Sequence, residues 1–555
     1  MKEMYLDIME KALLAYSDQQ ITDYINEVKR DGLTEHGFPR LGVNIGILIA
    51  NGRRTELFDT FIEIMDICCE EMPKKKAAND FSIREVCCCI MLMEEKQLVK
   101  PELLAKWKKQ LSAFDPWKFY TTVDDRSGKF VSNWAMFSCL SELMRGMCCG
   151  IDTSEFIDWQ LPSQIANLDC NDMYQDCPPF SNHMAYDMVP RFLIAFLLRM
   201  GYKGKYAKRL EKVLDNTADL TLKMQSVTGE IAFGGRSNQM VNNEPMLISY
   251  CEMEASRFAE KGDLEKAGEF KAAALLAAKA TLGYLNLNPI SHVKNRYDKS
   301  TKIGCEDYAY FNKYMITVAS NVYPALLFAR DDIVPTIAPA TKGGFVISTS
   351  DRFHKTFLNA GGYQIEIETF ADIHYDANGL GRVHKAGCPA SICLSTPFTM
   401  HPRYILEGKN KTYMSLCCYA EMDGLRRFGA QSYAHYHLLN SESSETTASA
   451  LFEVLMSEDI KVKQKYTVSK DGVDITLSDW DKCGFMVPVF DFDGNENTEI
   501  KITDNCISVL YKGFVCTYSF NGNLSDNYKL YYNRNGRYRV YSVETKNLHI
   551  EIKEA

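Results

Sequence analysis

The sequence has no long hydrophobic run. Its longest apolar stretch, Arg191 to Met200, carries Arg191 and Arg199 near its ends and is far shorter than the roughly 18 residues of a membrane-spanning helix. The first residues, MKEMYLDIMEKALLAYSD, are interrupted early by acidic side chains and lack the apolar segment of a signal peptide. We therefore expect a cytoplasmic protein that has no membrane partner.

A concentrated basic surface is missing as well. The 555 residues have a net charge of −9 and no long basic stripe, which argues against nucleic acid as a partner. No CxxC pair is accompanied by a second CxxC or by a pair of histidines, so the spacing assigns no metal ligand. We predict no cofactor. The presence of a structural zinc or calcium ion in the second half of the chain is left open.

Cysteine, in contrast, is abundant. There are 19 cysteines, and several are adjacent, as in Cys68-Cys69, Cys87-Cys88-Cys89, Cys148-Cys149 and Cys417-Cys418. Adjacent cysteines make a poor disulfide framework, and most of these lie in apolar patterns. Buried free thiols in a reducing compartment are the prediction.

Residues 1–335 show the period of helices. Apolar residues recur at spacings of three and four over 59–72, 82–95, 133–149, 185–200, 205–226, 245–259 and 264–285. Such helices, repeated as helix, loop, helix, fit α/α-hairpins that close into a toroid or a related bundle. A solenoid is the competing arrangement, but the sequence shows no fixed-period repeat.

The period changes after Asp331. A linker with two prolines follows, and from Gly344 the chain tends to alternate with period two. Strands are predicted at 344–350, 362–369, 413–421, 460–468, 473–477, 499–503, 507–511 and 528–532. The predicted fold class is α+β and multidomain: an N-terminal (α/α) toroid over 1–335 and a C-terminal antiparallel β-sandwich over 340–555.

Two polar segments of the helical half contain candidate site residues. In the first, two prolines precede Asn182, His183, Tyr186 and Asp187, which open an apolar helix. A helix start at the mouth of a toroid can direct such side chains into a cleft, whereas ordinary helix capping is the alternative. Asn133-Trp134 opens another helix, where Trp134 offers either a stacking surface or a buried core ring.

The second segment runs from Thr228 to Glu244 and is dense in glycine and polar residues. Asn238, Gln239 and Glu244 offer hydrogen bonds to sugar hydroxyls, and Arg236 is suited to bidentate binding of a carboxylate. A solvated loop between helices is the alternative interpretation.

Two further segments carry aromatic and histidine side chains. Tyr310 and Tyr314 are four residues apart, which places them on one face of a predicted helix; they are candidates to stack on a sugar or to act as an acid, or else core aromatics. In the second half, 371–385 reads as a glycine-punctuated hairpin-like loop with His374, Arg382 and His384. It is predicted either to lean over the toroid mouth or to form an exposed hairpin tip.

With these residues the chain resembles the heparinase II/III-like group of polysaccharide lyases, which pairs an (α/α) toroid with an antiparallel β-sandwich. Asn182-His183 resembles the Asn-His pair that the group has at a helix start. The group's Gln, its Asp-Gly and its Arg-Ser-rich stretch are resembled in turn by Gln225, Thr228-Gly229 and Arg236-Ser237. Its histidine early in the sandwich is resembled by His374 or His384. One departure concerns the catalytic tyrosine that follows the Arg-Ser stretch in related alginate lyases. Gln239 stands near that place, and the next tyrosine is Tyr250.

The resemblance implies a lyase that cleaves uronic-acid-containing oligosaccharides by β-elimination. Asn182 and Arg236 then neutralise the carboxylate, His183 is the base, and Tyr310, Tyr314 or His374 is the acid. The alternative is a glycoside hydrolase for glucuronides, with a carboxyl pair drawn from Asp187, Glu244, Glu306 and Asp307. A carbohydrate-binding protein without catalysis is the third hypothesis. An oligosaccharide is the expected partner in all three cases, and neither the glycan nor the oligomeric state follows from the sequence.

Overall fold

The computed structural model describes residues 1–123, 131–178, 183–525 and 527–555. Its helices are α1 (Lys2–Leu14), α2 (Asp18–Asp31), α3 (Gly37–Ala50), α4 (Phe58–Glu71), α5 (Asn79–Glu95), α6 (Pro101–Ser112), α7 (Pro116–Phe119), α8 (Asn133–Cys149), α9 (Ser154–Ala166), α10 (Ala185–Arg199), α11 (Ala207–Met224), α12 (Asn243–Glu260), α13 (Leu264–Leu285), α14 (Phe311–Tyr314), α15 (Thr317–Phe328) and α16 (Pro339–Lys342). The long helices all precede residue 330.

Six helices form a closed inner ring. In order they are α3, α5, α8, α10, α12 and α15, each packs against the next, and α15 packs against α3. These helices are buried almost all round: every residue of α3 except Ala50 is buried. An apolar helix surrounded by other helices is the expected result of such a sequence.

A second set of helices packs around the outside of the ring. Helices α4, α6, α9, α11 and α13 each pack against the inner helix that precedes them, and α1 packs against α15. Their apolar residues lie on one face; α6, for example, buries Leu104, Trp107 and Leu111, at spacings of three and four. The helical half is therefore an (α/α) toroid, as the sequence predicts.

The second half is built of antiparallel sheets. The strands are β1 (Phe345–Ser348), β2 (Lys355–Ala360), β3 (Tyr363–Glu368), β4 (Gly379–Lys385), β5 (Cys417–Met422), β6 (Leu425–Phe428), β7 (His435–Ser443), β8 (Thr447–Leu455), β9 (Lys461–Ser469), β10 (Gly472–Ser478), β11 (Cys483–Phe492), β12 (Glu499–Thr503), β13 (Cys506–Tyr511), β14 (Phe514–Phe520), β15 (Asn523–Leu524), β16 (Lys529–Tyr532), β17 (Arg537–Glu544) and β18 (Asn547–Glu554). The last long helix ends at Phe328 and the first strand begins at Phe345, on either side of the predicted linker.

The strands form three sheets around one core. Strands β1 to β4 make a four-stranded sheet, an eight-stranded sheet has the order β12-β13-β14-β18-β10-β9-β8-β7, and a third sheet has the order β15-β17-β11-β5-β6, with β16 paired to β17. Ile365, Val468 and Val487, one from each sheet, belong to the same hydrophobic cluster. The period-two pattern of the sequence is the cause, because alternate residues of a strand face the core.

The segment 371–385 differs from its predicted form. Its second part is strand β4, which pairs with β3 inside the four-stranded sheet. Arg382 and His384 are therefore buried, each about 1% exposed, and neither leans over the toroid as part of a loop. The glycines that suggested a hairpin instead let the strand pass closely over neighbouring side chains; a Cβ at Gly381 would lie 2.4 Å from the ring of Phe233.

The two halves are joined by buried polar contacts along the segment between α11 and α12. The Gly235 N–H donates to Asp376 Oδ2 at 2.9 Å, and the Phe233 N–H donates to Glu366 Oε2 at 3.0 Å. Arg382 Nη1 donates to the carbonyl oxygen of Ile231 at 2.8 Å. The sandwich thus fixes the backbone of the same polar segment that the sequence singled out.

All 19 cysteines are free thiols, and most are buried. No helix in the described part of the chain is long and apolar enough to cross a membrane.

Candidate functional site

A cavity of about 280 Å³ opens at one end of the toroid. Its wall comes from the starts of α3, α5, α8, α10 and α12, from the segment between α11 and α12, and from the segment 308–321. Successive hairpins of a toroid bring such segments to the same rim, although they are far apart in sequence. The polar lining residues include His36, Arg40, Asn133, Tyr186, Arg236, Ser237, Asn242, Tyr308, Lys313 and Tyr314.

The charge of this lining is one-sided. It contains Arg40, Arg236 and Lys313, whereas none of the described lining residues is an aspartate or a glutamate. Arg40 Nε donates to Glu85 Oε1 at 3.0 Å. Lys313 has no ion pair with a described residue, and burial lowers its pKa. The cavity therefore favours an anionic ligand.

Arg236 is held over an aromatic ring. Its guanidinium carbon lies 4.2 Å from the ring centroid of Tyr186, and its Nη2 lies 3.2 Å from Asp176 Oδ2. Burial opposes the charge on Arg236, but the neighbouring Tyr186, Tyr308 and Asp176 outweigh it, and the pKa is raised. Asp176 in turn accepts from the backbone N–H of Asn133 at 2.7 Å and from its Nδ2 at 3.1 Å. The start of α8 therefore sets the position of the arginine.

Three hydroxyl groups meet beside Arg236. Ser237 Oγ lies 2.9 Å from the hydroxyl of Tyr186 and forms a short hydrogen bond with that of Tyr308; the two phenol oxygens are 3.4 Å apart. Burial is the main reason that the pKa of Tyr308 is raised well above its ordinary value. Burial therefore holds Tyr308 in its protonated form, in which its hydroxyl can donate a hydrogen bond.

The backbone at Ser237 is strained. Its φ of 59° lies in the left-handed region, which a residue with a Cβ seldom adopts. Its N–H donates to Glu306 Oε1 at 2.8 Å, which holds the residue in place. Strain of this kind concentrates at functional sites, since the surrounding structure must maintain it.

Another part of the wall pairs a histidine with an arginine. Arg40 Nη1 lies 2.6 Å from His36 Nδ1, and because arginine can only donate, Nδ1 accepts and Nε2 carries the proton. Burial lowers the pKa of His36 well below its ordinary range. His36 is therefore a neutral hydrogen-bond donor on this wall. Its ring lies 5.7 Å from that of Tyr314.

Four of the predicted site residues line the cavity: Trp134, Tyr186, Arg236 and Tyr314. Trp134 is half-buried and meets Phe81 edge to face at 4.6 Å between ring centroids. Tyr310 does not share a helical face with Tyr314, because α14 begins only at Phe311; Tyr310 is 55% exposed.

His183 and His374 are not among the residues that line the cavity with Arg236. His183 is buried against the sandwich, with ring centroids 5.9 Å from Phe353 and 6.2 Å from His354. Burial and the nearby Lys355 lower its pKa to about 3. His374 Nδ1 lies 3.2 Å from the carbonyl oxygen of His401. Asn182 lies outside the described residues.

The predicted carboxyl groups are engaged elsewhere. Asp187 forms a buried ion pair with Arg191 and accepts from the N–H of Tyr174 at 2.7 Å. Glu244 is completely buried, and its Oε1 lies 2.6 Å from Lys294 Nζ. Both carboxylates are therefore compensated inside the protein and do not face the cavity.

The other predicted residues have structural partners or a different location. Arg382 binds Glu366 at 2.8 Å, and His384 lies between Ser226 and Ser395, at 2.7 and 3.0 Å. Asn238 Nδ2 donates to the carbonyl oxygen of Ala232 at 2.8 Å. Gln239 lines a separate cavity of about 230 Å³ between the two halves.

His36 and Arg40 were missed by the sequence analysis. They are four residues apart at the start of α3, whose remaining residues are mostly apolar. A histidine and an arginine on one face of such a helix were the available signal. Among the described residues no group of three or more histidine, cysteine, aspartate or glutamate side chains is arranged to hold a metal ion.

Comparison with known proteins shows a similarity of fold. No family model matches the sequence, and no curated protein is similar to it in sequence. Among solved structures the chain is similar to heparinase III, with a TM-score of 0.47 at 8% identity, over 93% of this chain and 76% of that one. It is also similar to a chondroitin AC lyase of Streptomyces coelicolor A3 in complex with chondroitin sulphate, with a TM-score of 0.46 at 11% identity, over 99% and 82%. Two structures of a heparan sulfate lyase of Pedobacter heparinus, one of them a mutant, have TM-scores of 0.35 and 0.36 at 10% identity over 85% of this chain and 77% of that one.

Proposed function

We propose that this chain is a lyase that cleaves uronic-acid-containing oligosaccharides by β-elimination in the toroid cavity. One observation carries the proposal: the described lining has three cationic side chains, a cluster of hydroxyl groups and no carboxylate. A uronate brings a carboxylate of its own, and elimination requires that this charge be neutralised. A hydrolase of the common type requires the opposite lining, with two carboxyl groups facing the scissile bond.

Arg236 is the neutralising group in this proposal. Elimination breaks the C5–H bond of the uronate, and negative charge develops on its carboxylate in the transition state. A guanidinium that is fixed over Tyr186 and held by Asp176 requires little reorganisation to stabilise that charge. In this proposal the positive charge that neutralises the substrate carboxylate is therefore that of the Arg236 side chain.

Tyr186 and Tyr308 are the proton-transfer groups. The phenol oxygen of Tyr186, beside Arg236, takes the C5 proton, the C4–O bond breaks as the C4=C5 double bond forms, and Tyr308 gives its proton to the leaving oxygen. Ser237 contacts both phenol oxygens. A proton can therefore return from Tyr186 through Ser237 to Tyr308, which restores both side chains after each turnover.

The hydrolase alternative lacks its carboxyl pair among the described residues. Asp187 and Glu244 are paired with Arg191 and Lys294, Glu306 accepts from the Ser237 N–H and pairs with Arg534, and Asp307 pairs with Lys302 on the surface. A protein that only binds saccharide needs neither a strained serine nor a protonated, buried tyrosine beside an arginine. The site therefore supports the lyase best.

The test is incubation with a panel of uronate oligosaccharides, read by the ultraviolet absorbance of an unsaturated uronate. We expect that band to appear with the wild type, and Arg236→Ala to lose about 10²–10³-fold in rate while it keeps its melting temperature. The matched control is Arg352→Ala, because Arg352 is an exposed arginine outside the cavity. Reducing sugar released without the band would overturn the proposal.

A further inference from the structure

The residues on either side of Arg236 are held by a second arginine, Arg534, which belongs to the sandwich. The carbonyl oxygen of Gly235 accepts from Arg534 Nη2 at 2.9 Å. The N–H of Ser237 donates to Glu306 Oε1 at 2.8 Å, and Arg534 Nη1 lies 3.5 Å from that same oxygen. Arg534 therefore contacts the residue before Arg236 directly and the residue after it through one carboxylate.

Arg534 is itself fixed where the two halves of the molecule meet. It lies in the turn between β16 and β17, its side chain is 2% exposed, and its guanidinium carbon lies 4.0 Å from the ring centroid of Tyr404. Within the turn, Asn533 Oδ1 accepts from the N–H of Asn535 at 2.9 Å. From the helical half, Asn295 Nδ2 donates to the carbonyl oxygen of Arg534 at 2.8 Å. Both the backbone and the side chain of Arg534 are therefore held in place.

The backbone around Arg236 needs such an external contact. Gly234, Gly235 and Ser237 have φ values of 132°, 76° and 59°, and the segment lies outside the helices and strands. Glycine adopts positive φ about as readily as negative φ, so the two glycines permit this path without fixing it. Ser237 is in a conformation that persists only where the surroundings maintain it. The contacts of Arg534 with Gly235 and with Glu306 supply that constraint.

We propose that Arg534 is a positioning residue for Arg236, which makes the sandwich part of the catalytic apparatus; this rests on the proposed function. Arg534 is not among the residues that line the toroid cavity, so it acts through the backbone of Gly235 and Ser237. Stabilisation of charge in a transition state requires a group that is already in place, and a misplacement of about 1 Å is able to cost about 10²-fold in rate. Loss of Arg534 therefore lowers the rate because Arg236 is no longer held in position.

The experiment measures kcat for elimination in Arg534→Met and Arg534→Lys. We expect Arg534→Met to lose about 10- to 10²-fold. Arg534→Lys is expected to recover part of that loss, because an ammonium group keeps one of the two contacts but lacks the fork that makes both. The matched control is Arg296→Met, since Arg296 also pairs with the sandwich, but through Asp493 and Glu496. We expect the control to stay within twofold of wild type.

A double-mutant cycle separates positioning from a general effect on the fold. In an Arg236→Ala background, Arg534→Met is expected to change the rate less than twofold, because no guanidinium remains to be positioned. The melting temperature of each variant shows whether it is folded. If Arg534→Met does not fold, Arg534→Lys is taken through the same cycle.

An equal loss in the wild-type and Arg236→Ala backgrounds would overturn the inference, as would a wild-type rate in folded Arg534→Met. Both results leave the proposed function intact, because elimination is still observed in the wild type. If the wild type shows no elimination with any uronate oligosaccharide, the proposed function fails first, and this inference fails with it.

Discussion

At the scale of single residues, the assignment of the proton donor rests on which tyrosine lines the cavity. Tyr308 lies inside it, with a pKa raised by burial, whereas Tyr310 is exposed on the protein surface. We predict that Tyr308→Phe lowers the elimination rate about 10²–10⁴-fold, because the leaving oxygen loses its proton donor. Tyr310→Phe is the matched control and is expected to stay within twofold of wild type. Initial rates at saturating substrate measure both, and equal effects of the two variants would contradict the assignment.

A buried histidine gives a prediction about pH. Burial and the neighbouring Arg382 lower the pKa of His384 to about 3 in the folded protein, whereas an unfolded histidine has a pKa of about 6.5. Between these values the unfolded chain binds more protons, so the contribution of His384 to stability is complete above pH 6.5 and is lost as the pH falls toward 3. The slope is about 1.4 kcal/mol per pH unit for one group.

The variant His384→Gln removes that titration. Chemical denaturation at pH 7 and pH 5 is expected to show a smaller loss of unfolding free energy for the variant than for the wild type, and the difference isolates His384 from the carboxyl groups that titrate in both. An identical pH dependence in the two proteins would show that His384 is not held neutral by the fold.

At this scale the sequence located part of the site. Arg236 stood out because a run of polar residues and glycines is hard to bury without partners, and Tyr186 because it opens an apolar helix. The sequence could not show that His183 faces the sandwich, since that depends on where the turn at 350–355 packs. His36 and Arg40 lie at the start of a helix whose apolar pattern predicts only a buried core helix. They reach the cavity because the helices close into a ring, and that closure depends on contacts between residues far apart in the sequence.

At the scale of elements, strand β4 provides a test of the interface. Arg382 on β4 binds Glu366 on β3 at 2.8 Å, and both side chains are buried. We predict that Arg382→Met lowers the free energy of unfolding by about 3–5 kcal/mol, because it leaves the buried carboxylate of Glu366 without its ion-pair partner. The control Arg426→Met removes a partly exposed pair with Glu421 and is expected to cost less than about 1 kcal/mol. Denaturant titration measures the free energy of unfolding of both variants, and similar losses of that free energy would contradict the prediction.

Hydrophobic period correctly identified the helices and strands that the sequence analysis named, apart from the segment 371–385, and it missed others, because tertiary contacts decide them. The outer helix α6 shows the period of 3.6 clearly, because only one of its faces is buried. The segment 371–385 was predicted as a loop because its glycines and histidines resemble a hairpin. In the fold, β4 is covered by the toroid on one side, so its polar side chains are satisfied by partners from the other half of the chain.

At the scale of the whole molecule, the free thiols give a simple prediction. All 19 cysteines are unpaired, and burial raises the pKa of most of them, including Cys68, Cys88 and Cys139. We predict that alkylation under denaturing, non-reducing conditions modifies every one of the 19 cysteines, which intact-mass spectrometry counts directly. Bridged pairs in the freshly purified protein would contradict both this geometry and the expectation of a reducing compartment.

The order of the two halves followed from the sequence because a change of hydrophobic period marks the boundary near residue 335. The sequence predicted a toroid, but it did not show which helices meet to close the ring, since no repeat marks α15 and α3 as neighbours. The cavity exists because of that closure. Its residues are therefore distant in sequence, and their one-sided charge becomes visible only in the folded molecule.

The central claim, that the cavity catalyses elimination, is tested most directly by the mass balance of the reaction in heavy-oxygen water. A uronate tetrasaccharide is incubated with the wild-type protein, and both products are weighed by mass spectrometry. Elimination adds no water, so the account predicts that the two product masses sum to the mass of the substrate and that neither product carries heavy oxygen from the cleavage. Products that sum to the substrate plus one water, with the heavy oxygen in one of them, would contradict it.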